Sequence, residues 1–145
     1  MILDSVFTHL QKAASGIISN APDQVSISYW ESHSAVEKTV KTLLYQSGAK
    51  QENTHILDAL ARKVSGLESL GVTIDQFNLM PSWKVVNKCR YGEHEAVSVG
   101  EAIAVYDLAL FLVEHISSGF SCRLRFNNAR FLIQVPPWAK RRLSD

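Results

Sequence analysis

Ser98-Val-Gly-Glu101 has the form of a helix capping box, and the run behind it, Ala102 to Ile116, is apolar almost all the way round a helical wheel. Such a helix has no face to offer water. The rest of the chain must therefore surround it, which points to helices packed about a buried one. Its most apolar part, Ala102 to Val113, is about half the roughly 20 residues of a membrane span, and Asp107 interrupts it, so a core helix and no membrane association are expected. With 145 residues, 46% of them apolar, the chain has material for one hydrophobic core and none for a second full domain.

Other segments repeat the helical period. Leu3, Phe7, Leu10, Ala14 and Ile17 or Ile18 predict a first helix with these residues inward, closed by Asn20-Ala21-Pro22. Tyr29, Val36, Val40, Leu43 and Leu44 predict a second from about residue 25 to 46, with Ser28 and Glu31 or Ser34 and Glu37 as capping boxes and Gly48 as its stop. Thr54 is expected to cap a third helix carrying Ile56, Leu57, Leu60, Val64 and Leu67, ending near Gly66 or Gly71. Thr73 to Gln76 suits a short capped turn. Residues 80–97, with Pro81 and Gly92, read as a loop or short broken helix. The capped apolar run follows and is expected to be the most buried helix.

After Gly119 the period changes. Cys122, Leu124 and Phe126 alternate with Arg123 and Arg125, then come Asn127-Asn128 and the run from Phe131 to Val135, predicting a C-terminal β-hairpin. Charge divides at the same place: residues 1–119 carry 9 basic and 13 acidic side chains, residues 120–145 carry 6 and 1. The sequence thus reads as a mainly α bundle over 1–119 with a basic hairpin and tail over 120–145 on the same domain. Arg123, Arg125, Arg130, Lys140, Arg141 and Arg142, interleaved with Phe126, Phe131 and Trp138, form a candidate nucleic-acid patch. The competing reading is a hairpin whose apolar face covers the bundle or a partner protomer while the arginines stay in water.

Two cysteines are too few for a fold that depends on disulfides, and MILDSVFTHLQK lacks the basic and apolar regions of a signal peptide, so a reducing, cytoplasmic setting is expected. No histidine pair has i,i+4 spacing and the cysteines are far apart, so neither a metal nor another cofactor is expected. Gly66 and Gly71 have phosphate-loop spacing, yet Val72 stands where the loop needs its lysine. Glu37 and Lys41 have the favourable order for an i,i+4 ion pair; together with Lys88, Arg90 and Tyr91 they are candidate ligand-binding residues of one polar groove. His33 is expected to be a hydrogen-bonded histidine at the core's edge, and His55 part of a helix start.

Three segments in order resemble the HEPN (higher eukaryotes and prokaryotes nucleotide-binding) family. Ser34-Ala-Val-Glu-Lys-Thr-Val-Lys-Thr-Leu-Leu44 looks like its second-helix signature. Thr54-His-Ile-Leu57 is similar to the Thr-His-Asp-Leu opening of the next helix, and Arg90-Tyr91-Gly92 before a capped helix with Ala102, Ala104 and Ala109 is similar to its Arg-Tyr-Pro segment and last helix. Residues 25–117 are covered. The resemblance implies an antiparallel four- to five-helix bundle, a homodimer, and ligands meeting the loop before the last helix. Catalytic members are metal-independent endoribonucleases with four to six residues between Arg and His; here Arg90 and His94, the candidate catalytic pair, are separated by three. The expected function is therefore a non-catalytic HEPN-type module binding a nucleotide, RNA or a protein, paired with a nucleotidyltransferase in a prokaryotic toxin-antitoxin or defence system. A ribonuclease toxin using Arg90 and His94, and a purely structural dimerisation module, are the alternatives.

Overall fold

The computed structural model describes residues 2–120, and their regular structure is all helical: α1 (Ile2–Ser19), α2 (Pro22–Gln46), α3 (Leu57–Arg62), a 3-10 turn (Leu67–Leu70), α4 (Ile74–Asn78), α5 (Trp83–Arg90) and α6 (Val99–Ser117). The expected C-terminal hairpin and its six basic residues lie outside the described residues. No helix among the described residues is long and apolar enough to cross a membrane.

The 25-residue α2 is the hub, touching α1, α3, α5 and α6. It starts earlier than its apolar period suggested, because Pro22 occupies the first turn, where a missing N–H costs nothing. Neither expected capping box starts a helix. Ser28 and Ser34 are buried inside α2, and the Ser28 hydroxyl donates to the Val25 carbonyl in the preceding turn.

α1 and α2 form an antiparallel hairpin: Gly16 meets Gln24, while His9 pairs with Glu31 and Ser5 with Lys38 farther along. The inward face of α1 differs from the expected one. Val6, His9, Leu10, Ala13 and Gly16 are buried, whereas Phe7 is 58% and Ile18 82% exposed. Small residues decide this. A Cβ at Gly16 would stand 2.6 Å from the Gln24 carbonyl oxygen, so the helices approach along a face that an apolar count passes over.

α3 is short although apolar residues continue at helical spacing through Leu67. Gly66 and Gly71, at φ of 71° and 76°, supply left-handed turns on either side of the 3-10 turn, which redirects the chain while still burying Leu67. Thr73 and Gln76 form the expected capping box at α4, and Ser82 caps α5, the short-helix alternative of the reading for residues 80–97, with irregular chain over residues 91–98. Ser98 and Glu101 cap α6 reciprocally, and the Ser98 hydrogen bonds hold the Glu101 carboxyl below the ordinary carboxylate range.

The main core joins Val36, Val40 and Leu44 of α2 to Leu57 and Leu60, Phe77, and Leu112 and Ile116 of α6. A smaller cluster joins Val25, Cys89, Val97 and Ala102, where the N-terminal ends of α2 and α6 meet the C-terminal end of α5. α6 is not the most buried helix: its buried side is Ala102, Val105, Ala109, Leu112 and Ile116, and Ile103 and Leu110 face water. That place belongs to α2, buried continuously from Glu31 to Glu37 despite its many polar residues.

Candidate functional site

A fully surrounded helix must find partners for its polar side chains. α2 does so at two nodes. On the α1 side, Glu31 is hydrogen-bonded through Oε2 to His9 Nδ1, and Lys38 Nζ reaches His9 Nε2 at 2.8 Å and the Ser5 hydroxyl at 2.5 Å. A lysine ammonium has donors only, so the neutral imidazole accepts at Nε2 and points its Nδ1–H at Glu31.

On the opposite side, Glu37 Oε1 accepts from Lys41 Nζ at 2.7 Å and from His55 Nδ1 at 2.8 Å. The His55 ring stacks on Trp83 at the start of α5, with centroids 4.2 Å apart and planes 18° from parallel. His33 lies beneath them, 1% exposed, with Nδ1 3.7 Å from Glu37 Oε2. Neither of its ring nitrogens has a hydrogen-bond partner, contrary to the sequence expectation. Burial pushes its pKa down to about 4, Lys41 and His55 adding to the shift and Glu37 opposing it.

The cleft with the most varied chemistry lies at the other end of α5. It encloses about 170 Å³ and is lined by Asp23 and Ser26 of α2, Cys89 and Arg90 of α5, and Gly92 and His94 of the following loop, among others. The Arg90 guanidinium sits 4.5 Å from the centre of the Trp30 ring and 5.3 Å from that of Tyr91, so two aromatic faces hold it without using all its N–H donors. Tyr91 is itself 62% exposed. His94 Nδ1 is 2.7 Å from the Glu95 carbonyl oxygen; as the donor there, it leaves Nε2 as an acceptor. Burial raises the Cys89 pKa, so this thiol is not an activated nucleophile.

Arg90 and His94 thus line one cleft, with Tyr91 beside Arg90. Lys88 is exposed on the last turn of α5. Glu37 and Lys41 make the expected ion pair, but they adjoin Trp83, at the end of α5 remote from Arg90. Seven residues of α2, about 10 Å, separate Glu37 from Trp30, so the structure does not join these candidates into one groove with Arg90. A wider, open space of about 760 Å³ borders Gly66; its lining carries Glu68 and Asp75 against one basic side chain, Arg62, which is itself paired with Asp58. Among the described residues no group of three or more His, Cys, Asp or Glu side chains is placed to hold a metal ion.

Sequence reasoning missed the His9–Glu31–Lys38 chain and the stacking of Arg90 on Trp30. The seven-residue step from Glu31 to Lys38 puts both on one face of α2, and that was the available signal. Comparison with protein-family models, curated proteins and solved structures returns no match.

Proposed function

We propose that the chain is a HEPN-type binding module whose Arg90 cleft receives the phosphate of a nucleotide or RNA. One observation carries this reading: the Arg90 guanidinium is held on the Trp30 ring at the mouth of a cleft that also contains Ser26 and His94, with the exposed ring of Tyr91 beside it. A guanidinium fixed by aromatic faces offers a preorganised fork to phosphate oxygens, and an adjacent exposed ring offers a stacking surface to a base. The family resemblance over residues 25–117 supports the same assignment, with a homodimer and a nucleotidyltransferase partner as its further proposals.

The test is fluorescence anisotropy with short 5′-labelled RNA, competed with ATP. Arg90→Ala weakens binding about 10- to 100-fold, as expected for loss of charge-assisted hydrogen bonds to a phosphate, and Tyr91→Ala weakens RNA more than inorganic phosphate. Wild-type affinity in Arg90→Ala rejects the site.

A second reading, metal-independent ribonuclease, is favoured by His94 and Arg90 lining the same cleft. An imidazole with a free Nε2 moves the 2′-hydroxyl proton while the guanidinium neutralises the phosphorane. RNA cleavage in excess EDTA that is lost in both Arg90→Ala and His94→Ala establishes it; no cleavage above those variants leaves the binding reading.

A further inference from the structure

The seam between α2 and α5 contains one group that the Arg90 cleft does not use. His33 is sealed at 1% exposure, both ring nitrogens lack partners, and the Trp83 indole lies over it with ring centres 5.7 Å apart. A buried imidazole without hydrogen bonds is a standing cost to the closed seam, and opening would return both nitrogens to water. Opening would also admit a proton.

The charged and titratable groups around His33 disfavour that proton while the seam is closed. Its own helix presents Glu37 and Lys41, the segment before α3 presents His55, and α5 presents the uncharged Trp83 ring. Glu37 attracts a proton, but its Oε1 is already engaged by Lys41 and His55, and its Oε2 stands 3.7 Å from His33 Nδ1. On the α1 side the polar groups of α2, Glu31 and Lys38, are joined to His9 in their own chain.

α5 is only eight residues long and rests on α2 through Trp83 at one end and Arg90 on Trp30 at the other, with Val86 and Cys89 buried between them. A short helix packed along one neighbour moves as a unit, so release of Trp83 loosens Val86, Cys89 and Arg90 together. We propose that α5 is an acid-released latch: protonation of His33 favours a state in which Trp83 lifts from α2 and α5 detaches, carrying Arg90 away from Trp30. The latch is a property of the fold and stands whichever ligand the cleft takes.

The sign follows from linkage. His33 holds its proton with a pKa of about 4 when covered, against an ordinary 6.5 once exposed, so the open state gains population as pH falls from 6.5 toward 4. At pH 5 the ratio of open to closed rises up to about 20-fold over its value at pH 7. The experiment is amide hydrogen exchange followed by NMR at pH 7 and pH 5, expressed as protection factors so that intrinsic exchange is removed.

Residues 86–90 should be less protected than Ala109 and Leu112 of α6 at both pH values, and their protection should fall by up to about 20-fold between them. His33→Phe keeps a ring under Trp83 and cannot bind a proton, so the fall should vanish. Equal protection of α5 and α6 at both pH values means one global unfolding and overturns the latch; so does an unchanged α5, or a fall that persists in the variant. If His33→Phe does not fold, the wild-type His33 ring resonances decide: a proton bound near pH 6.5 with α5 still fully protected overturns the proposal, and uptake that accompanies loss of α5 protection supports it.

Discussion

Glu37 shows how much one side chain can organise inside a helical bundle. Its Oε1 joins Lys41 from its own helix to His55 from a distant loop, and His55 in turn receives Trp83. Glu37→Gln keeps the volume and one acceptor but takes the carboxylate from a partly exposed lysine and a half-exposed histidine. A loss of about 1–2 kcal/mol is expected, read as a lower urea midpoint at unchanged slope. The ion pair to Lys41 was legible in the sequence because i,i+4 spacing is local. The His55 bond was not, since nothing in the sequence states that a loop 18 residues away folds back onto the same oxygen.

At the scale of elements, the α1–α2 hairpin depends on close approach more than on a wide apolar stripe. Gly16→Ala tests this with a diagnostic sign. In an exposed helix the change would stabilise by up to about 1 kcal/mol through helix propensity. Here the new Cβ would meet the Gln24 carbonyl oxygen at 2.6 Å, so a net loss of about 1–3 kcal/mol is expected in thermal or urea unfolding. α6 supplies a second case: Ser98→Ala removes the hydroxyl that accepts from the Glu101 N–H and should cost about 1 kcal/mol by the same measurement. The capping boxes of α4 and α6 were legible because their residues lie three apart in sequence. The false ones within α2 had the same spacing, and only burial distinguishes them.

For the whole molecule, α2 holds the bundle together, with α1, α3, α5 and α6 all packed on it. Amides in the centre of α2 and in the buried side of α6 should therefore share the slowest hydrogen exchange, opening only with global unfolding. Residues 67–78 should exchange faster, because α4 has five residues and packs mainly on the short α3. The buried neutral His33 gives global stability an acid dependence as well. Its contribution is complete above pH 6.5 and is lost as pH falls toward 4, amounting to about 2 kcal/mol between pH 7 and pH 5, and it should be absent in His33→Phe.

Local chemistry alone determined the helical class, the positions of most helices, the caps of α4 and α6, and Arg90, Tyr91 and His94 as neighbours in one segment. Those follow from period, capping and chain proximity, which act within a few residues. Only the tertiary structure decided which face of α1 turns inward, which helix lies at the centre, and where the buried charges find partners. The apolar run of α6 exposes Ile103 and Leu110, while the polar-rich α2 is enclosed, because long-range ion pairs and small-residue contacts let it pack on every side. It was the same packing that set Arg90 on Trp30 at one end of α5 and placed Glu37 at the other. That separation depends on how α5 lies across α2, a relation no spacing within either segment contains.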